Sequence, residues 1–272
     1  MKILKHDPAG AVYLSDDPEP EPIDGRLIVD MDYVWISSGT ETAILRNLRT
    51  NGAQDKKHYP LGYTGSGIVK KGAGRFKQGD RVAVYGSPYV FAAETLVVSP
   101  NLAVPVPSSV TQYEAAAAGL GAIALHGLRR IDTTLGDVIV QVGRGVLGQI
   151  AAQLVEAHGA HFIGVDLEPN RVQIAKECLR GFAGASNDTD LAKIVSEQTG
   201  GRGADALVLC VSGQAPIADE TVTLLRDRGR VCLLGGVKDT LPGLSGAHRR
   251  ELEYRLVRAG GPGRYDPVYE TQ

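Results

Sequence analysis

The sequence predicts an α/β fold in two parts, a small N-terminal β-barrel followed by a doubly wound parallel sheet. Three observations carry that expectation. In the first third of the chain, short β-branched and aromatic runs are separated by Gly and Pro, as in small antiparallel barrels. From residue 138 onward, continuous apolar runs alternate with helical periodicity, the pattern of a parallel sheet covered on both faces. Between the first such run and its helix lies the string Gly143-Arg144-Gly145-Val146-Leu147-Gly148.

Along the chain, Pro18, Pro20 and Pro22 forbid a helix before RLIVDMDYVWI (26–36), which reads as a strand. Gly65, Gly67, Gly72 and Gly74 punctuate two further short strands. GDRVAVYG (79–86) reads as a turn and a strand, FAAETLVVSP (91–100) as another, and Pro105 and Pro107 end the region. TQYEAAAAGLGAIALHGLRRI (111–131) is alanine-rich and helical, with Gly119 and Gly121 dividing it in two. VIVQVG (138–143) is a strand buried on both faces, and VLGQIAAQLVEAHG (146–159) a helix that stops at glycine. The alternation continues through HFIGVD (161–166), the helix PNRVQIAKECLRG (169–181), ADALVLCV (204–211), a helix around 215–227, GRVCLLGG (229–236) and a last strand in RLVRAGG (255–261).

The 272 residues are long for one domain and comfortable for two. With 43% hydrophobic and 22% charged residues, the composition excludes disorder, collagen and coiled coil. The 29 Lys and Arg nearly balance 31 Asp and Glu, for a net charge of -2 without a basic stripe, so neither nucleic acid nor a membrane surface is an expected partner. Cys178, Cys210 and Cys232 lie in apolar patterns without paired spacing, which fits a reducing, cytoplasmic compartment. The opening MKILKHDPAGAVYL holds no apolar run long enough for a signal peptide, and no run of about 18 apolar residues occurs.

The pattern GxGxxG is weak alone. Here it follows a buried strand directly and opens a helix, with Asp166 ending the next strand, and that combination points to a dinucleotide. Gly143 permits the tight turn, Gly145 lets the backbone approach a pyrophosphate, and Gly148 allows close helix–strand packing, with Arg144, Val146 and Leu147 completing the loop. The helix N-terminus offers N–H groups and positive potential to the phosphates. Asp166 accepts hydrogen bonds from ribose hydroxyls and repels a 2′-phosphate, which favours NAD(H); the nearby Arg171 flanks the adenine or softens that preference.

Almost the whole chain resembles the medium-chain dehydrogenase/reductase superfamily, whose members join a GroES-like barrel to a Rossmann domain. The matching segments are SSGTE (37–41), GYTGSGIV (62–69), GDRV (79–82), GLGAIALHGLRR (119–130), GRGVLGQIAAQL (143–154) and GRVCLLGG (229–236). The resemblance implies a barrel and substrate domain over 1–115, a dinucleotide-binding domain over 116–259 with Val211 and Gly235 among the cofactor contacts, and a return toward the barrel over 260–272. Similar proteins complete the barrel with several more elements, so the chain is expected to be a C-terminally short member, either naturally short or trimmed. In the zinc alcohol dehydrogenases a Cys precedes Gly-Ser/Thr-Asp; here Ser38 precedes Gly39-Thr40-Glu41. Their Gly-His-Glu is Gly62-Tyr63-Thr64, their third ligand falls near Gly119, and the four-cysteine zinc lobe is absent. At the three ligand positions Ser38, Tyr63 and Gly119 offer no thiolate, imidazole or carboxylate of the kind zinc takes, so the resemblance is to a zinc-free member.

Without a metal, hydroxyls must polarise a carbonyl or move a proton. Thr40 matches the family's relay hydroxyl, and Tyr63 stands at a former ligand position; these two are the expected catalytic residues. Tyr85, Tyr89, His58 and His126 read as packing or solvated residues, and Glu41 as the partner of an arginine. The expected function is a zinc-independent NAD(H) oxidoreductase acting on a hydroxyl or carbonyl of a polar small molecule such as a sugar, cyclitol or natural-product intermediate. Open alternatives are an enoyl- or quinone-type reductase, and a nucleotide-binding protein without net redox activity, including redox-neutral use of bound NAD. An apolar strand at RLVRA (255–259) on the sheet edge predicts a homodimer.

Overall fold

The structure is a computed structural model and describes residues 1–185, 188–211, 216–235, 241 and 243–262. The chain divides into two units, the first formed by Met1–Leu120 and the second by Gly121–Gly261. The sequence reading puts this boundary at 115/116. The return expected over 260–272 lies, beyond Pro262, outside the described residues.

In the first unit the elements are β1 (Lys2–His6), β2 (Val12–Asp16), β3 (Leu27–Trp35), α1 (Thr40–Asn51), β4 (Tyr59–Pro60), β5 (Thr64–Lys71), β6 (Arg81–Tyr85), β7 (Thr95–Val98), β8 (Ala103–Pro105), α2 (Gln112–Ala115) and α3 (Ala118–Arg130), which crosses into the second unit. All strand pairs are antiparallel, in a three-stranded sheet β2-β1-β4 and a five-stranded sheet β7-β3-β5-β6-β8. A bridge between Ile3 and Ala93 and the bond from Leu4 N–H to Ala92 O join the two. Leu27, Val29, Val82, Val84, Leu96 and Val98 form the buried core beneath the larger sheet.

Three expectations need correction here. Gly65 and Gly67 do not separate strands; both lie inside β5. A Cβ on Gly67 would stand 2.1 Å from Asp30 O and one on Gly65 2.5 Å from Tyr33 O, so the glycines let β5 lie close against β3. The segment after SSG is not β-structure but α1. The alanine-rich run is divided at Ala116–Ala117, ahead of Gly119 and Gly121, which lie within α3. Thr64 occupies the break: its hydroxyl donates to Ala116 O at 2.9 Å and accepts from Gly119 N–H at 3.1 Å. A capping box between Thr111 and Glu114 starts α2.

The second unit contains β9 (Val138–Val142), α4 (Val146–Ala157), β10 (His161–Asp166), α5 (Pro169–Cys178), β11 (Phe182–Ala185), α6 (Leu191–Thr199), β12 (Ala204–Leu209), α7 (Pro216–Val222), β13 (Leu225–Leu233), α8 (Leu244–Ala247) and β14 (Glu253–Leu256). The six strands form one sheet in the order β11-β10-β9-β12-β13-β14, every pair parallel. The order steps outward from β9 one way and then outward from β12 the other, so the chain reverses direction beside β9. Alternate residues of β9 feed two cores, Val138, Val140 and Val142 on one face and Ile139 on the other. The last two strands start earlier than expected, at Leu225 rather than 229 and at Glu253 rather than 255, and the strand β11 and helix α6 were not foreseen. Among the described residues no helix is long and apolar enough to cross a membrane.

Candidate functional site

The glycine-rich turn joins the fully buried β9 to α4, at the point of chain reversal. Gly143 has φ +93, a left-handed conformation that side chains resist. A Cβ there would meet Val211 Cγ1 at 2.7 Å, and one on Gly235 would meet Val211 O at 2.0 Å. Gly143, Val211 and Gly235 are thus brought together at the C-terminal ends of β9, β12 and β13. A Cβ on Gly148 would stand 2.2 Å from Gly143 O, so only glycine lets α4 start this close to the strand. Gly145 faces open space. Val146 is exposed and Leu147 half-buried on the first turn of α4. The turn therefore fits a pyrophosphate: open backbone at Gly145 and a 12-residue helix beginning behind it.

Gln141 is a site residue that sequence reasoning missed. Its buried amide donates to both Gly143 O and Gly148 O at 2.9 Å, tying the two ends of the turn. The signal was present, a lone polar residue in the otherwise apolar strand VIVQV.

Asp166 ends β10 beside the turn and is buried. Its Oδ2 accepts from the Arg144 backbone N–H at 2.5 Å and lies 3.5 Å from the guanidinium of the half-exposed Arg171. Its Oδ1 accepts from Glu168 N–H at 2.8 Å. Gln149 donates to Arg144 O and Arg171 O, so turn, α4 and α5 are linked around this carboxylate.

The expected catalytic residues lie in the first unit. Thr40 opens α1, is exposed, and its hydroxyl stands 3.5 Å from that of Ser37. Tyr63 is half-buried, its ring edge-on to Tyr85 at 6.1 Å. Glu41 connects their neighbourhoods. Among the described residues it pairs with no arginine, where one was expected; Oε1 accepts from Gly62 N–H at 3.1 Å, and Oε2 is buried without a hydrogen-bond partner among those residues. Burial raises the Glu41 pKa above the usual carboxylate range, against the lowering effect of the backbone bonds from Glu41, Gly62 and Ser37. His126 is half-buried on α3, where burial and then Arg130 and Arg129 lower its pKa. His58 is exposed against Tyr13, and Tyr89 is exposed.

The former zinc positions do not fit the metal. Ser38 and Tyr63 carry only hydroxyls, and the place of a side chain on Gly119 is taken by Tyr85 Cδ2 at 2.5 Å and Thr64 Oγ1 at 2.6 Å. No three of His, Cys, Asp and Glu gather as a metal-ligand set among the described residues.

A family profile described as zinc-binding dehydrogenase matches residues 146–269. A sorbitol dehydrogenase of Halalkalibacterium halodurans is 33% identical over 132 residues, 48% of this chain and 38% of that protein. Human sorbitol dehydrogenase is 26% identical over 94% of this chain and 81% of its own length. Among solved structures, a zinc-dependent alcohol dehydrogenase 2 from Streptococcus pneumonia superposes with a TM-score of 0.80 at 20% identity, over 100% of this chain and 87% of that one. An Escherichia coli quinone oxidoreductase complexed with NADPH gives 0.77 at 19%, over 96% and 82%. The matches to the first curated relatives span 38%, 42% and 25% of those proteins. By these matches the chain is similar to the alcohol-dehydrogenase-like proteins of the medium-chain dehydrogenase/reductase superfamily. That superfamily is one of oxidoreductases, and these curated relatives are named dehydrogenases.

Proposed function

We propose that the protein is a zinc-independent, NAD(H)-dependent oxidoreductase of the cytoplasm, acting on a hydroxyl or carbonyl of a polar small molecule such as a sugar, cyclitol or natural-product intermediate. The observation that carries this reading is the open glycine turn at the head of α4 with the Asp166 carboxylate beside it. When bound, the nicotinamide supplies hydride transfer. The chain's own residues bind and orient it: backbone N–H groups of the first turn of α4 hold the diphosphate, and Asp166 accepts the ribose hydroxyls and opposes a 2′-phosphate. Val211 and Gly235 pack beside the turn as further cofactor contacts. Thr40 and Tyr63 supply hydroxyls to the substrate oxygen, Tyr63 stabilising developing negative charge and Thr40 passing the proton on.

Calorimetric titration of the purified protein is expected to give tighter NADH than NADPH binding. Asp166→Ala should weaken NADH by about tenfold or more and narrow the gap to NADPH. Tighter NADPH binding by the unaltered protein overturns the assignment. With a substrate from a panel of polyols and ketoses, Tyr63→Phe should lower kcat by about 10²–10³ while leaving NADH affinity in place. Activity should survive chelators, with well under one zinc per chain; stoichiometric zinc lost together with activity contradicts the zinc-free reading.

A second reading, a quinone- or enoyl-type reductase using NADPH, is favoured by Arg171. Its guanidinium already stands 3.5 Å from Asp166, where it offsets the carboxylate and can meet a 2′-phosphate. The same titration separates the two.

A further inference from the structure

Arg144 is the largest of the fully buried side chains, with no exposed surface at all. Its guanidinium does not reach out to solvent from the turn. It runs beneath it, stacking on the Phe162 ring of β10 with Cζ 4.6 Å from the centroid. The fold makes room for it there: a Cβ on Gly164, the next residue on that face of β10, would lie 2.3 Å from Nη1. Only Nη2 finds an acceptor, Gln149 Oε1 at 3.3 Å; Nε and Nη1 have none among the described residues. Burial pulls the guanidinium pKa down to about 10, with Asp166, Cys210 and Glu156 opposing that shift, so the group is charged at neutral pH.

A buried cation without an ion-paired carboxylate opposes folding, and a hydrophobic side chain of similar size would remove that cost. Packing alone therefore does not account for an arginine in an aromatic-and-glycine receptacle. Its position does supply an account. It belongs to the turn itself, one residue before Gly145, at the positive end of α4. Within protein its field is weakly screened, unlike that of a surface lysine.

We propose that Arg144 is a fixed internal charge that strengthens the hold of the glycine-rich turn on the diphosphate of a dinucleotide, acting through its field rather than by contact. This rests on the reading of the turn as a dinucleotide site. It makes Arg144 a positioning residue and adds a determinant of affinity that GxGxxG does not contain.

The test uses ADP and adenosine as probes of the full chain, with and without the diphosphate. A unit charge acting over about 10 Å at an effective dielectric of about 20 is worth roughly tenfold in affinity. Arg144→Met should weaken ADP by about that factor, leave adenosine unchanged, and leave Tm equal or higher. The ADP effect should persist at about 0.5 M salt. Arg144→Lys should retain most of the ADP affinity. Arg144→Gln repeats the neutral substitution should methionine disturb folding. Equal loss for ADP and adenosine, or no loss for ADP, overturns the proposal while leaving the dinucleotide site standing. Failure of the unaltered protein to bind either ADP or NADH overturns that site reading, and this inference with it.

Discussion

Glu41 holds its carboxyl inside the first unit with one oxygen on Gly62 N–H and the other unpartnered among the described residues. The residues flanking that bond are Thr40 and Tyr63, so the carboxyl fixes the spacing of the segments that carry both expected catalytic hydroxyls. A carboxyl whose folded pKa is raised binds its proton more tightly in the folded than in the unfolded chain. Its ionisation therefore costs stability as pH rises from the unfolded value of about 4.3 through the higher folded one. Glu41→Gln keeps an acceptor for Gly62 and removes the charge. Thermal unfolding should show the variant more stable at neutral pH by about 1–2 kcal/mol, and no more stable near pH 4, where the native carboxyl is protonated as well. A variant equally destabilised at both pH values would show that the buried oxygen needs its charge. The sequence carried no sign of this arrangement, because Glu41 contacts a residue 21 positions away and lies on a helix that read as β-structure.

At the scale of elements, legibility followed the strength of local signals. The strand VIVQV and the helix behind it were readable because five consecutive buried residues run into a glycine turn and then into helical periodicity. The helix α1 was not, since TETAILRNLRTN is polar overall and buries only Glu41. The strand β11 is four small or aromatic residues, FAGA, too short to declare itself. The helix α6 carries its signal in its caps, Asp190 accepting from Lys193 N–H and Gly200 in the left-handed region behind it. The join of β12 to its neighbours depends on Asp205, whose oxygens accept from Arg202, Arg226 and Val138 N–H. Burial would raise its pKa, but those three donors outweigh it and hold the carboxyl well below the usual range. A depressed folded pKa contributes stability that is present above the unfolded value of about 3.9 and is lost as pH falls through the folded one. Asp205→Asn should cost about 1–3 kcal/mol at pH 7, an amount tempered by the half-exposed Arg202. Denaturant unfolding should show that difference shrinking toward acid; a cost independent of pH would mean that shape, not charge, is what matters at this position.

For the molecule as a whole, the alternation of strands and helices from residue 138 was legible as a doubly wound sheet, because a glycine turn follows the first buried strand, but the order of the strands was not, since β11 at its edge gave no signal. The unit boundary was less so: the division falls within α3, which is continuous across it, and no loop composition marks the place. Among the described residues the sheet of the second unit ends in β14, which pairs there with β13 alone. The strand covers Glu253–Leu256, so the edge presents EYRL rather than RLVRA, and Leu256 is 65% exposed on it. An exposed apolar residue on a sheet edge favours pairing with another strand, which would cover it. Two copies related by a two-fold axis would place β14 against its own image, satisfying both edges at once and closing the assembly at two. Light scattering at about micromolar concentration should then give a dimer. Leu256→Asp brings like charges close together across the axis and should shift the protein toward monomer while its Tm at high concentration falls. A monomer for the unaltered chain, or a dimer indifferent to this substitution, would remove β14 as the contact.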